Sequence, residues 1–401
     1  MQKILITHVQ NTLNYGSAMM AINLLHGLRK YFSSDDLEIY CECDEYHLGR
    51  LKDATGDKSL KKYSPPIEKI DSKLDVINKY FFGKSSMIDS ISSEFDVMIV
   101  LGGDDLSEIY KRGAIFKGAT YYHINKRCKV ILAGQSLGPF DGIYRLVASY
   151  VFRNITLITR DDNSYDFISD KLKIKNVLKS RDLALSALPK QNEFNEIVKS
   201  KRITEKKYLV VVPSGLINRY TNDHLGYIQT WSEIINYLIN RYPNHNIIML
   251  SHVLLPTHAD DSVIIDKVYD MIENRQSLIK VTQRMQPVEA RAILGGSEFV
   301  ITGRMHAAVS TLFMGKPAIA LAYSEKYAGT IGRGLQLPEL LVECRDKEWG
   351  KESSIIDDVI EKILSIETNY HNLVEKINLN SKICSEKVDE QICYIADKIK
   401  S

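Results

Sequence analysis

Short runs of β-branched and other apolar residues alternate along this chain with amphipathic stretches of helical spacing, the pattern of parallel strands joined by helices. In the first half the runs are Lys3 to His8, Leu37 to Cys43, Asp96 to Leu101, Lys129 to Ala133 and Ile155 to Thr159. Each is apolar almost throughout, which predicts a strand covered on both faces. A second series comprises Tyr208 to Pro213, Asn246 to Ser251, Leu278 to Thr282, Phe299 to Thr302, Pro317 to Leu321 and Leu340 to Glu343. Between the two, Ser186 to Lys207 turns polar around Pro189 and predicts a domain boundary. The fold class is α/β: two doubly wound domains, residues 1–195 and 205–350, facing each other with the carboxyl ends of their strands around a shared cleft. Residues 351–401 keep helical spacing (Ile356, Val359, Ile360, Ile363) and predict a tail of two or three closing helices. Asp44 to Ser93, with Pro65-Pro66, is the least regular stretch, and its Lys-rich part predicts a mobile loop.

Composition narrows the class further. With 401 residues, 44% apolar and 25% charged, the chain reads as an ordinary soluble globular protein and not a collagen-like or disordered one. Fifty-two basic and 50 acidic residues leave +2, no general field for nucleic acid, so any anion must be held by locally placed Arg, Lys or His. The six cysteines are scattered and outline neither a zinc site nor a disulfide framework, which predicts free thiols in a reducing compartment. Ile4 to Ile6 is too short for a signal sequence, and no apolar stretch approaches the ~18 residues of a membrane span. The expectation is a cytoplasmic protein able to meet a membrane-bound substrate at the inner face of the membrane.

Loops after strands are where chemistry is expected in this class. Asn14-Tyr15-Gly16-Ser17 follows the first strand and opens a helix (Ala18, Met19, Ile22, Leu25, Leu28). That is either a simple glycine turn or a set of free backbone N–H groups for an anion or sugar hydroxyl. Gly102-Gly103-Asp104-Asp105 follows a central strand. Either aspartate can accept a proton from a hydroxyl or cap the next helix, and no third acidic or histidine ligand stands at metal-site spacing. Arg160 ends another strand, where it meets a carboxylate or phosphate ligand or pairs with Asp161, Asp162 or Asp182. The sharpest signal is Gly303-Arg304-Met305-His306-Ala307. Two cationic side chains at a helix start are unfavourable unless an anion compensates them, so the pattern predicts an anion site. Lys326 stands near the end of the next strand, a further cation for the same site or a solvated lysine. Ser251-His252 and His258 to Asp261 follow a strand of the same half, where they can form a cleft wall or, as the rival reading, ligate a metal.

Taken together these elements resemble the polysaccharide pyruvyl transferase family. The matching residues are Asn14-Tyr15-Gly16, Gly102-Gly103-Asp104, Arg160-Asp161 with Ser164, Asp182, His252, Asp261, Gly303 to Ala307, Gly315-Lys316-Pro317 and Tyr323 to Lys326, over approximately residues 3 to 345. The resemblance implies two facing Rossmann-like domains, GT-B-like, with a C-terminal helical tail, and transfer of the pyruvyl group of phosphoenolpyruvate onto a sugar of a polysaccharide or its lipid-linked precursor as a ketal. It implies donor binding by Arg160, Arg304, His306 and Lys326. His306 is then the general acid, Asp104 or Asp105 the base, and Asn14, Gly16, Ser17 and Gly103 the acceptor side. Nothing in the donor chemistry demands a metal if the four basic side chains balance its charge, and no cofactor is expected. The competing enzyme on this architecture is a GT-B glycosyltransferase with a nucleotide-sugar donor; a sugar- or anion-binding protein without turnover is the non-enzymatic alternative.

Overall fold

The computed structural model describes residues 1–191, 203, 206–255 and 257–401. The boundary expected at Ser186–Lys207 lies largely outside the described residues. Contacts divide the chain into two compact units. One comprises Met1–Thr12, Met20–Leu183 and Glu386–Ser401, the other Leu13–Met19 and Ala184–Ser385.

The first unit is built on a seven-stranded parallel sheet in the order β3-β2-β1-β4-β6-β8-β9. Its strands are β1 (Gln2–Thr7), β2 (Leu37–Glu42), β3 (Lys61–Tyr63), β4 (Val97–Leu101), β6 (Lys129–Gln135), β8 (Thr156–Thr159) and β9 (Val177–Lys179), with β5 (Leu106–Ser107) and β7 (Leu137–Gly138) forming a separate two-stranded ladder. The five strands expected from apolar runs are all present, and Val97–Leu101 is buried at every position. The edge strands β3 and β9 are three residues each and partly exposed, too short and too polar to register as apolar runs.

The stretch Asp44 to Ser93 is more regular than expected, although its Lys-rich part around Pro65-Pro66, expected as a mobile loop, carries no helix or strand over residues 64–72. The stretch holds helices α2 (Glu45–Thr55), α3 (Lys73–Tyr80) and α4 (Ser86–Glu94), after α1 (Tyr15–Leu28) and before α5 (Lys111–Ile124) and α6 (Gly142–Val151). Caps, not apolar periodicity, define these short helices. Asp44 accepts the His47 N–H, Ser72 and Asp75 form a capping box, and Ser85 accepts the Ile88 N–H. Helix α3 buries none of its residues, which is why hydrophobic spacing did not reveal it.

The second unit carries a six-stranded parallel sheet, β12-β11-β10-β13-β14-β15. Its strands are β10 (Tyr208–Val212), β11 (Asn246–Leu250), β12 (Leu278–Val281), β13 (Val300–Thr302), β14 (Ala318–Ala322) and β15 (Leu341–Glu343). The C-terminal helical run Ser354–Lys400 is interrupted by non-helical dihedrals at Asn369 (φ −120°, ψ 21°), giving two helices. Up to Ser385 it counts with the second unit, where Ser381 Oγ donates to the Leu312 carbonyl at 3.0 Å. From Glu386 it counts with the first, where Gln391 Nε2 donates to Ser180 Oγ and the Arg181 carbonyl, both at 3.1 Å.

Each sheet reverses its winding once. The first grows outward from β1 to β3 and restarts at β4 on the other side of β1; the second grows from β10 to β12 and restarts at β13. Crossover connections leave in opposite directions at such a switch point, opening a crevice at the strands' carboxyl ends. The two switch points present His8 and Gly102–Asp105 in the first unit, and Ser214-Gly215 and Gly303–His306 in the second.

Candidate active site

In the second unit, β13 ends at Thr302 and the helix Met305–Phe313 begins after Arg304, whose backbone is extended (φ −106°, ψ 116°). Thr302 Oγ1 accepts the Arg304 N–H at 2.8 Å. The Gly303 carbonyl receives the Tyr220 hydroxyl at 2.5 Å and the Tyr327 hydroxyl at 2.7 Å. The turn that carries the Arg-x-His pattern is thus pinned by side chains from two short helices, Ile217–Tyr220 and Glu325–Tyr327.

The anion that compensates Arg304 in this structure is Asp261. Its carboxylate is completely buried and takes five hydrogen bonds. Oδ1 accepts from Arg304 Nε (3.0 Å), Arg304 Nη2 (2.7 Å) and the Gly215 N–H (2.8 Å), and Oδ2 from the His252 (3.0 Å) and Val253 (2.9 Å) N–H groups. Arg304 Nη2 also donates to the Ala259 carbonyl. Burial alone would lower the Arg304 pKa, but Asp261 outweighs it and holds the guanidinium above its ordinary value. One ion pair therefore ties together the loops after β10, β11 and β13.

His306 stands in the first turn of the same helix and is half-buried. Its neighbour is Gly16, where an added Cβ would lie 2.4 Å from His306 Cβ and Cγ and 2.5 Å from Nδ1. The close approach that glycine allows here is that of the His306 ring. The Asn14–Gly16 turn belongs to the second unit. Asn14 bridges Val253, the Tyr15 N–H donates to the His252 carbonyl at 3.1 Å, and Asn14 Oδ1 accepts the Ser17 N–H at 3.4 Å. Three residues expected on the acceptor side, Asn14, Gly16 and Ser17, are therefore grouped with His306 and Arg304. Gly16→Ala is expected to push the His306 ring aside and destabilise the protein by about 1–3 kcal/mol, whereas half-buried Ser17→Ala is expected to be near neutral. Urea unfolding of both variants checks this.

His252 is 1% exposed, and its Nε2 has no hydrogen-bond partner among the described residues. Burial, then His306, Arg304 and Arg291, push its pKa well below the ordinary 6.5. It is a neutral imidazole beside the Tyr15 ring (5.7 Å between centroids, edge-on). In the unfolded chain it titrates near 6.5, so as pH falls the unfolded state gains a proton first. Stability is fully present above that value and is lost below it by up to about 1.4 kcal/mol per pH unit until the lower folded pKa is reached. His252→Gln is expected to remove this share of the acid sensitivity; an unchanged slope of unfolding free energy between pH 6.5 and 5 would contradict the assignment.

Lys326 is anchored by tyrosines. Its Nζ donates to the Tyr323 hydroxyl at 2.6 Å, and the Tyr323 ring packs against Tyr220 at 5.0 Å and Tyr327 at 5.4 Å, the two residues that hold the Gly303 carbonyl. Arg304, His306 and Lys326 are therefore attached to one hydrogen-bonded framework at the β10/β13 switch point. The roles of Tyr220, Tyr327 and Asp261 as its supports were not legible from spacing.

The other predicted residues lie in the first unit. Arg160 is buried: Nη1 donates to Asp182 at 3.0 Å and Nε to Ser136 Oγ at 2.9 Å, so of its two expected partners, ligand or neighbouring carboxylate, the structure contains the Asp182 pair. Asp161 caps the following helix by accepting the Ser164 N–H at 2.8 Å. Asp105 receives Lys117 Nζ at 2.6 Å and stands 3.7 Å from His8 Nδ1. Neither Asp104 nor Asp105 caps a helix, since Ser107 and Tyr110 hold the cap positions that follow. The Gly103 carbonyl accepts the Ser136 N–H at 2.9 Å. At Gly102 an added Cβ would lie 2.1 Å from the Gly134 carbonyl oxygen, so this glycine serves the packing of two adjacent loops.

Beside these residues is a cavity of about 570 Å³, lined at its polar end by Thr7, His8, Gln10, Glu42, Lys117 and Tyr121. Burial raises the pKa of Glu42, against the opposing influence of His8 and Gln10. His8 holds a left-handed backbone conformation (φ 66°), and its Nε2 is 3.4 Å from the Tyr121 hydroxyl. Glu42 and Tyr121 escaped the sequence reading; the position of Glu42 at the last residue of a parallel strand is the signal that marks it. Among the described residues no group of three or more His, Cys, Asp or Glu is placed to hold a metal ion.

Comparison with known proteins adds the family. The model of the polysaccharide pyruvyl transferase family matches residues 14–325. The amylovoran biosynthesis protein AmsJ of Erwinia amylovora is 22% identical over 305 residues, 73% of this chain and 72% of its own. Among solved structures, UDP-GlcNAc 2-epimerase of Neisseria meningitidis bound to UDP-GlcNAc matches with a TM-score of 0.62 at 12% identity over 98% of both chains. Anabaena Alr3699/HepE in complex with UDP and glucose matches with a TM-score of 0.57 at 12% identity over 100% of both. At such identities the likeness concerns the fold, two Rossmann-like domains of the GT-B kind. Matched from Asn14 to Glu325, most of its length, the chain belongs to the polysaccharide pyruvyl transferase family.

Proposed function

We propose that this polysaccharide-modifying transferase moves the pyruvyl group of phosphoenolpyruvate onto a saccharide, forming a ketal. The observation that carries the reading is His306, half-buried in the first turn of a helix, seated on Gly16 and flanked by the Arg304–Asp261 pair. A helix N-terminus adds positive potential where a phosphate or carboxylate would bind. Because Asp261 neutralises Arg304, the donor's charge falls mainly to His306, Lys326 and the helix terminus, with Arg304 fixing their geometry. Arg160 would contribute to the donor only by sharing the guanidinium that now holds Asp182. The relative's part in amylovoran biosynthesis supports an exopolysaccharide unit, or its lipid-linked precursor, as acceptor.

In this reading His306 delivers a proton to the methylene carbon of phosphoenolpyruvate, leaving an oxocarbenium-like centre at the adjacent carbon. A sugar hydroxyl oxygen bonds to that carbon and gives its proton to a carboxylate, Asp104 or Asp105. The carbon–oxygen bond to phosphate then breaks, the departing phosphate takes the proton held by the aspartate, and a second hydroxyl of the same sugar closes the ketal while its proton restores His306. The products are one ketal and one phosphate. His252, neutral and buried behind His306, keeps the surroundings of the acid free of a further charge.

Mixing the protein with phosphoenolpyruvate, a nucleotide sugar and a lipid-linked saccharide, singly and together, tests the reading. Phosphate release that requires both phosphoenolpyruvate and saccharide is the expected result. Nucleoside diphosphate released from the nucleotide sugar would replace it with glycosyl transfer, and saturable binding with neither product would make this an anion- or sugar-binding protein.

A further inference from the structure

The first unit presents an apolar face that its own fold does not cover. Phe81 and Phe82, directly after α3, are 72% and 65% exposed, and Leu146 and Tyr150 of α6 are 64% and 53% exposed. Phe81, Leu146 and Tyr150 line one groove of about 470 Å³ with Tyr80, Phe116 and Tyr122. Helix α6 buries Ala148 and Val151 inward and still exposes Ile143 outward, while α3 exposes Leu74 and Ile77. Apolar clusters this exposed in a soluble chain mark a surface meant to be covered.

Charge indicates what covers it. Residues 67–84, 111–127 and 141–153 hold eleven Lys or Arg against four Asp or Glu, in a chain whose total is only +2. Five aromatic rings of these elements carry a cation above them: Lys79 over Tyr80 (5.9 Å), Lys84 over Phe82 (5.9 Å), Arg112 over Phe116 (5.1 Å), Lys126 over Tyr122 (4.9 Å) and Arg153 over Tyr150 (5.5 Å). Two of the four acids, Glu68 and Asp75, are committed within the fold. Glu68 receives Lys79, Ser85, Ser86 and the Met87 N–H, and Asp75 closes the α3 capping box. Lys117 is paired with Asp105, and Asp89 of α4 stands 3.7 Å from Arg127. Apolar and aromatic side chains ringed by long basic ones suit the boundary between acyl chains and anionic headgroups, the rings entering and the cations meeting phosphate. No described helix is long and apolar enough to cross a membrane.

We propose that this face, built from α3, Phe81-Phe82 and α6, docks the protein on an anionic lipid surface. The proposal does not depend on the identity of the donor. The full-length chain is sedimented with vesicles of phosphatidylcholine alone and of phosphatidylcholine mixed with phosphatidylglycerol. Preferential binding to the anionic vesicles, weakened by salt, is expected. Phe81→Ser with Phe82→Ser, and separately Arg145→Glu with Arg153→Glu, should each lower the partition coefficient by about tenfold or more. Unfolding midpoints must stay at the wild-type value, as befits exposed positions. Equal sedimentation with both vesicle types, or undiminished binding by the Phe81/Phe82 variant, overturns the proposal. So does a concentration-dependent dimer in light scattering that the Phe81/Phe82 variant abolishes, because a second copy would then be the occupant of the face.

Discussion

Replacing His306 with alanine is expected to reduce the turnover of phosphoenolpyruvate by about 10²- to 10⁴-fold, the usual contribution of a positioned general acid. The expectation follows from the ring's seating. Gly16 leaves no room for a side chain beneath it, the helix start fixes its backbone, and the Asp261 network fixes the loops around it. A proton donor held this way cannot be replaced by water at the same geometry. His306→Gln keeps the size and the hydrogen-bonding capacity but not the titration, so it should lose nearly as much rate while still binding phosphoenolpyruvate in a calorimetric titration. Turnover within a fewfold of wild type in either variant would exclude His306 as the acid.

The second large effect concerns stability. Asp261→Ala is expected to destabilise the protein by about 3–5 kcal/mol, because it strands a buried guanidinium without a counterion. It also removes the acceptor for the Gly215, His252 and Val253 N–H groups. Asp261→Asn should be intermediate, since an amide presents one oxygen and one nitrogen where the structure uses two accepting oxygens. Adding Arg304→Met to Asp261→Ala should return part of the lost stability, as removing the unpaired charge costs less than leaving it buried. Urea midpoints of the two single variants and the double variant supply the cycle; strictly additive losses would mean that the pair is not coupled.

How much of this was legible in the sequence depends on how each element is stabilised. Strands buried on both faces, such as Val97–Leu101 and Tyr208–Val212, announce themselves as apolar runs because both faces require it. The short helices between Asp44 and Ser93 do not, since caps such as Asp44, Ser72 and Ser85 supply what apolar spacing would otherwise signal. The same contrast holds at the site. Arg304 and His306 stood out as two cations at a helix start, a local conflict visible in five consecutive residues. The resolution of half of that conflict by Asp261, 43 positions away, is a tertiary fact that no local pattern contains. The Asn14–Ser17 turn could be read from the sequence either as a simple glycine turn or as free N–H groups for an anion or sugar hydroxyl; the close seating of the His306 ring on Gly16 is a tertiary contact that neither reading contains. Arg160 shows the opposite outcome, because the Asp182 partner found in the fold was already among the carboxylates weighed from the sequence.

The most direct test of the account is to follow the pyruvyl carbons themselves. Wild type and His306→Ala are incubated with isotope-labelled phosphoenolpyruvate and a lipid-linked saccharide, and the saccharide is weighed by mass spectrometry. The account predicts that wild type adds one labelled pyruvyl group per modified sugar, with one phosphate released, and that the His306→Ala reaction leaves the saccharide essentially unlabelled. A saccharide that stays unlabelled with wild type, or one labelled equally by both proteins, would contradict it.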